Sequence, residues 1–202
     1  MNKTKIKKSY DIEAIKWNQL STPEREFYHL NKFLFQLIKK YKKKTILDVG
    51  CGSGLHSLYF AKKGFKVTGI DFSREMIKQA KINCKSYNVK LVLGDINKTK
   101  FYKKFDVLWV CSSLHNMNKK DLIKTLKILY SLLESRGILA ITMRKGSFQG
   151  IKIRNKIERF YRYSTPKEIK SLLMKYPLKY EYTTNATWLN KPYFTIYFTH
   201  KS

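Results

Sequence analysis

The chain is 202 residues long and carries 42 Lys and Arg against 14 Asp and Glu, a formal net charge of +28. That length buries one full core, and no repeat, low-complexity tract or linker separates a second unit, so a single domain over 1–202 is expected. The apolar runs fall far short of the roughly 18 residues of a membrane span, and the basic N-terminus lacks the apolar stretch of a secretion signal. Cys51, Cys84 and Cys111 are odd in number and widely spaced, which suits reduced thiols and a cytoplasmic location better than a disulfide framework.

In chain order, residues 1–41 read as N-terminal cap helices, the clearest over 24–41. Thr45-Ile46-Leu47-Asp48-Val49 reads as a strand covered on both faces. It runs into Gly50-Cys51-Gly52-Ser53-Gly54, where the absence of Cβ atoms lets the backbone turn sharply and approach a ligand. A helix over 55–63 and a strand over 66–70 follow, ending on Asp71. Strand, glycine turn, helix, strand and acid in this order are the layout of a nucleoside-binding βαβ unit, with the acid able to accept bonds from both ribose hydroxyls. The remaining pattern gives helices near 73–86, 119–133 and 166–175 and strands near 90–93, 105–111, 137–143, 178–184 and 193–199. Gly64, Gly137 and Pro177 fall between elements. Such alternation implies an α/β fold with a doubly wound, mainly parallel seven-stranded sheet, closed by a C-terminal antiparallel hairpin around Asn190-Lys191-Pro192.

A dinucleotide fingerprint needs G-x-G-x-x-G, and Leu55 stands where its last glycine belongs. Asp48, just before the glycines, would repel a pyrophosphate and could pair with an ammonium, directly or through water. S-adenosylmethionine has adenine, ribose and an α-amino group and no phosphate. From about Tyr10 onward the chain resembles the class I S-adenosylmethionine-dependent methyltransferases, in particular their small single-domain type 11/25-like family. The resemblance implies S-adenosyl-L-methionine as cofactor, S-adenosyl-L-homocysteine as product and no metal. It places Asp48, Gly50, Cys51, Gly52, Gly54 and Asp71 around the cofactor, with Phe72 and Met76 against it. Asp95 would take the adenine amino group, Ile96 would pack on the ring, and Cys111 would sit beside it at a strand end. Plainer readings are that Phe72 and Met76 are core and Asp95 a turn residue.

Beyond the fourth strand, Cys111-Ser112-Ser113-Leu114-His115-Asn116 reaches the rim where an acceptor would enter. His115 is the candidate proton acceptor, the alternative being a ring packed under the loop. The segment lacks the Asp/Asn-Pro-Pro-aromatic turn of enzymes that methylate base amino groups, and the Pro-Cys motif that would make Cys111 a nucleophile. Tyr10 and Trp17 belong to a segment that folds over the cofactor in similar proteins. The insertion over 144–164 resembles a substrate cover, with Arg159, Tyr161 and Tyr163 in an Arg-aromatic-x-x-Tyr run. Arg144 and Lys145 replace the acids of that family near its start, which points toward an anionic acceptor. Trp188, in the last hairpin connection, could reach the acceptor or cap the sheet edge. The expected activity is therefore methyl transfer to N, O or S of a small, anionic molecule. Two alternatives stay open, an RNA (tRNA) methyltransferase supported by the +28 charge, and a non-catalytic cofactor-binding module; the Lys, Asn, Ile and Tyr richness also fits AT-biased coding, with the basic faces merely solvated.

Overall fold

The computed structural model describes the backbone of residues 3–20, 23–154, 156–188 and 190–201, and the side chains of 4–15, 32–153, 156–188 and 190–201. Helices α1 (Lys3–Leu20) and α2 (Pro23–Lys40) lead into β1 (Thr45–Val49), α3 (Leu55–Lys62), β2 (Lys66–Asp71), α4 (Arg74–Asn83), β3 (Val89–Leu93) and β4 (Phe105–Cys111). A 3-10 turn (Leu114–Asn116), α5 (Lys119–Ser131) and β5 (Leu133–Arg144) come next. They are followed by β6 (Gln149–Arg154), β7 (Ile157–Arg162), α6 (Pro166–Leu173), β8 (Leu178–Trp188) and β9 (Lys191–His200). The main sheet has the order β3-β2-β1-β4-β5-β9-β8, parallel through β5 and antiparallel at β9 and β8.

The unbroken apolar strands follow from two-sided burial. Leu47, Val49, Leu108, Val110, Leu139 and Ile141 point to the face covered by α5 and α6. Their neighbours Ile46, Val107, Trp109, Ile138 and Ala140 point to the face covered by α2 and α3. Helix starts are fixed by side-chain caps: Ser73 accepts from Met76 N at 3.1 Å, Asn118 from Asp121 N at 2.8 Å, and Thr165 from Glu168 N at 3.2 Å with Pro166 in the first turn.

Three features differ from the pattern read along the chain. Residues 1–41 divide: Leu34, Leu37 and Ile38 put α2 in the core under the sheet, while α1 lies against α4 and β7 and brings Ile6 and Tyr10 to the ligand cleft. The insertion is a β-hairpin, β6 with β7, separate from the main sheet. The last hairpin is tighter than expected, so Trp188 is a β8 residue in register with Lys191 and not part of a connection.

Candidate active site

A cleft of about 1570 Å³ opens at the carboxyl ends of β1, β2, β4 and β5, where the strand order reverses from β1. Its first wall is the loop after β1. Gly50 has φ +71°, and a Cβ there would stand 2.3 Å from that of Ser113, so this glycine lets the loops after β1 and β4 touch. Gly50 N and Cys51 N donate to Ile70 O at 2.8 and 3.0 Å, binding the loop to the end of β2. Asp71 closes the arrangement, its carboxylate accepting from Gly52 N at 3.0 Å and Ser73 N at 2.8 Å. Phe72, Met76, Gly94 and Asp95 continue this wall.

Two buried acids therefore stand behind or within the loop that a pyrophosphate would need to approach. Burial raises Asp71 from the ordinary carboxylate range to about 6, against the backbone bonds that lower it. Burial raises Asp48 further, to about 7, although Ser57 Oγ donates to it at 2.7 Å. The chemistry of this donor set suits a neutral ribose and a cationic sulfonium or ammonium, and it opposes a phosphate. Asp95 is partly used by its own turn, accepting from Asn97 N at 2.9 Å.

The second wall is assembled from distant segments. Tyr10 on α1 donates its phenol proton to Asn116 Oδ1 at 2.6 Å, and the Tyr10 Oη itself lies 3.3 Å from His115 Nε2. Because that proton is committed to Asn116, the contact with His115 is satisfied when Nε2 carries hydrogen and donates; Nδ1 is then the basic nitrogen of the neutral ring. Tyr161 stacks parallel to His115 at a centroid distance of 5.7 Å. Asn116 Nδ2 donates to Phe160 O at 2.7 Å, tying the loop after β4 to β7. Arg159 is 1% exposed, with Nη2 bonded to Glu13 at 2.5 Å, Nε donating to Ser9, and its guanidinium over the Tyr10 ring at 4.5 Å. A buried pair of this kind locks α1 onto the inserted hairpin. Asp11, also on α1, accepts from Ser73 Oγ at 2.6 Å and so ties the same helix to the start of α4.

The outer part of this wall is cationic and aromatic. The Arg144 guanidinium lies over Tyr163 at 4.2 Å, and Lys152 donates to Tyr163 Oη at 3.1 Å while lying 4.1 Å from the Phe148 ring centroid. Trp188 and Tyr193 meet edge to face at 5.7 Å, beside Lys191. The carboxylates among the described lining residues, Asp71 and Asp95, both stand on the first wall.

Most residues singled out from the sequence thus line one cleft: Gly50, Cys51, Gly52, Asp71, Phe72, Met76, Asp95, Cys111 and His115, together with Tyr10, Arg144, Arg159, Tyr161, Tyr163 and Trp188. Three do not. Asp48 is 1% exposed and acts from behind the loop. Gly54, at φ +79°, serves packing, since a Cβ would meet Ala80 at 2.8 Å. Ile96 belongs to the main core cluster, because the turn after β3 points it inward. Trp17 falls in α1, and its side chain lies outside the described residues. Arg159 touches the cleft but is spent on Glu13 and Ser9, so it holds other groups in place. The sequence reading missed Glu13, Asp11 and Asn116. The signal for the first two was available, as acids in a helix otherwise dominated by lysine. Also missed was His56, which accepts from Trp109 Nε1 at 3.2 Å; burial lowers it to about 3 and keeps it neutral.

Sheet order, reversal point and glycine loop together define the class I methyltransferase fold. Residues 46–137 match the family described as methyltransferase domain. The glycine/sarcosine N-methyltransferase of Aphanothece halophytica is 31% identical over 139 residues, 65% of this chain and 50% of that protein. The malonyl-[acyl-carrier protein] O-methyltransferase of Priestia megaterium is 28% identical over 154 residues, 74% of this chain and 55% of that protein. The chain thus spans about half the length of these relatives. Among solved structures, a Burkholderia thailandensis 1,6-didemethyltoxoflavin-N1-methyltransferase, crystallised with 1,6-didemethyltoxoflavin and S-adenosylhomocysteine, superposes with a TM-score of 0.77 at 16% identity. That match covers 98% of this chain and 88% of that one.

Proposed function

We propose that this chain transfers a methyl group from S-adenosylmethionine to N, O or S of a small, anionic acceptor. The observation that carries the reading is the division of one cleft into an acidic, glycine-lined wall and a cationic, aromatic wall. When bound, S-adenosylmethionine supplies a methyl group on a positively charged sulfur. Asp71 would hold the ribose, Asp95 the adenine edge, and Phe72 and Met76 the apolar flanks; Gly50 and Gly52 leave room for close approach, and Asp48 adds negative charge behind the loop. His115, in contact with the Tyr10 hydroxyl and with its ring plane set by Tyr161, would take a proton from an acceptor that arrives protonated. Arg144, Lys152 and Lys191 would orient the acceptor's anionic group, and Tyr163 and Trp188 would exclude water from its apolar part. Relatives that methylate glycine nitrogen and an acyl-carrier malonyl oxygen share this domain, in keeping with small acceptors of either kind.

Calorimetric titration with S-adenosylmethionine and separately with NAD tests the first wall, and radiolabelled methyl incorporation into a panel of aromatic and aliphatic carboxylates and phosphates tests the second. Micromolar binding of the first ligand alone, and methylation of a carboxylate or phosphate that Arg144→Met raises at least tenfold in KM, is expected. Tight cofactor binding with incorporation into none of the anions but into neutral amines would overturn the acceptor class. Absence of S-adenosylmethionine binding would overturn the reading as a whole.

A further inference from the structure

The cleft uses one edge of the sheet; the opposite edge, where β1, β2, β4, β5 and β8 begin and β9 ends, collects a row of cations. Lys44, Lys66, Lys104, Arg136, Lys179 and Lys201 are all exposed there, one beside each of six adjacent strands. The registers Thr45↔Lys66, Ile46↔Val107, Val107↔Ile138, Ile138↔Thr199 and Lys179↔Thr199 put them on one line. With strands about 4.8 Å apart, the row is roughly 24 Å long.

Few acids stand near it, with Glu134 exposed at the start of β5 two residues before Arg136. Asp106 is turned inward, accepting from Lys44 N, Thr45 N and Thr45 Oγ1 at 3.1, 2.9 and 2.9 Å, and Lys43 pairs with it at 3.6 Å. Glu181 accepts from Thr199 Oγ1 at 2.6 Å and offsets Lys179 at 3.4 Å. At the β5-β9-β8 end of the row an open cleft is bounded by Arg136, Lys179, His200 and Lys201 with Tyr41, so its lining is cationic. Exposed aromatic rings interrupt the cations: Tyr102, 97% exposed beside Lys103 and Lys104, and Tyr87, 41% exposed at the start of β3.

We infer that this edge is a docking face for single-stranded nucleic acid, the cations following its phosphates and the tyrosines stacking on its bases. A linear row of regularly spaced cations, a cation-lined cleft and protruding aromatic rings match a polyanionic strand better than a flat bilayer surface. Because the face lies across the sheet from the methyl-transfer cleft, the strand bound there is not the acceptor. It tethers the protein, and the inference stands whether or not the acceptor assignment holds.

The test is fluorescence anisotropy of the whole chain with labelled uridine and deoxythymidine oligomers of about 20 nucleotides, between about 50 and 200 mM salt. Two charge-matched variants are compared, Lys66→Glu/Lys104→Glu/Arg136→Glu/Lys201→Glu on the face and Lys119→Glu/Lys120→Glu/Lys124→Glu/Lys167→Glu in the amino-terminal halves of α5 and α6. With about 0.7 of a counterion released per contacted phosphate, loss of four contacts lowers the salt slope by about 3. The face variant should bind at least thirtyfold more weakly with that shallower slope, and the control within threefold of the unaltered chain. Lysine acetylation of the unaltered protein, read by mass spectrometry, should show Lys66 and Lys104 protected by the oligomer and Lys120 and Lys167 not. Preference for the uridine oligomer identifies RNA as the strand, and equal affinity means that the phosphate backbone alone is read. Equal loss in both variants, uniform protection, or binding to phosphatidylserine vesicles but to neither oligomer would overturn the docking face.

Discussion

The two walls of the cleft are built on different scales of chain separation. On the cofactor side, Asp71 meets Gly52 at a separation of 19 residues and Ser73 at 2. On the acceptor side, Tyr10 meets His115 across 105 residues, and Arg159 meets Glu13 across 146. The first wall is backbone geometry, held by positive φ at glycines and by amide donors, and its shape depends little on which side chains surround it. The second exists only when α1, the loop after β4 and the inserted hairpin are docked together. Substitutions in the second wall should therefore reshape acceptor choice, and those in the first should remove cofactor binding.

The largest expected effect breaks the long-range wall. Glu13→Ala leaves the Arg159 guanidinium buried without its carboxylate, a loss of about 3–5 kcal/mol if α1 stays docked. Undocking of α1 caps that loss, so amide hydrogen exchange over 3–20 should rise by orders of magnitude while β1 to β4 stay protected; unchanged exchange in α1 would show that the pair does not hold it. Next in size is Gly50→Ala, which forces a Cβ to within 2.3 Å of the Ser113 Cβ at a left-handed backbone. A stability loss of about 3 kcal/mol in urea, together with loss of S-adenosylmethionine binding, is expected. Asp71→Ala should leave the fold intact and weaken S-adenosylmethionine by roughly 1.5–3 kcal/mol, and a calorimetric affinity equal to that of the unaltered chain would remove Asp71 from the ribose.

The smallest effect concerns pH and separates stability from function within the first wall. Burial holds Asp48 near 7 and Asp71 near 6, both above the ordinary value of 3.8. The folded chain thus binds more protons than the unfolded chain between about pH 4 and 7, and stability from these groups declines as pH rises through that window. Asp48→Asn keeps the Ser57 bond and removes the buried charge. Its Tm at pH 8 should exceed that of the unaltered chain by several degrees, each kcal/mol being worth about 2–4 °C at this size, and the gap should narrow as pH falls through about 7 and close below about pH 4. Affinity for S-adenosylmethionine moves the other way, weakening as pH falls through about 6 and Asp71 takes a proton. A Tm difference independent of pH would mean that Asp48 does not titrate in this range.

The glycine loop, Asp71, the alternating helices and strands and the edge hairpin were legible along the chain, because turns at Gly50 and Gly52 and continuous apolar strands are short-range consequences of residue type. Residues whose role depends on direction were not. Ile96 lies one position after Asp95, and the turn alone sends one toward the cleft and the other into the core. Arg159 reads as a free cation and is in fact the partner of Glu13. The hairpin over 149–162 carries little apolar alternation on its exposed side, with Ile151 and Ile153 at 64% and 74% exposure, so no buried face marked its strands.

Sequence by itself determined the strand, glycine turn, helix and acid of the βαβ unit and the mainly parallel sheet with its terminal hairpin, since these follow from backbone allowances and burial patterns within about 30 residues. Only the tertiary structure decided that α1 and the inserted hairpin share a buried ion pair near His115, and that the cations divide between one wall of the cleft and a row on the opposite edge. Those outcomes depend on which distant segments come to share a low-dielectric interior or one edge of a sheet, and no local pattern of residues encodes that meeting.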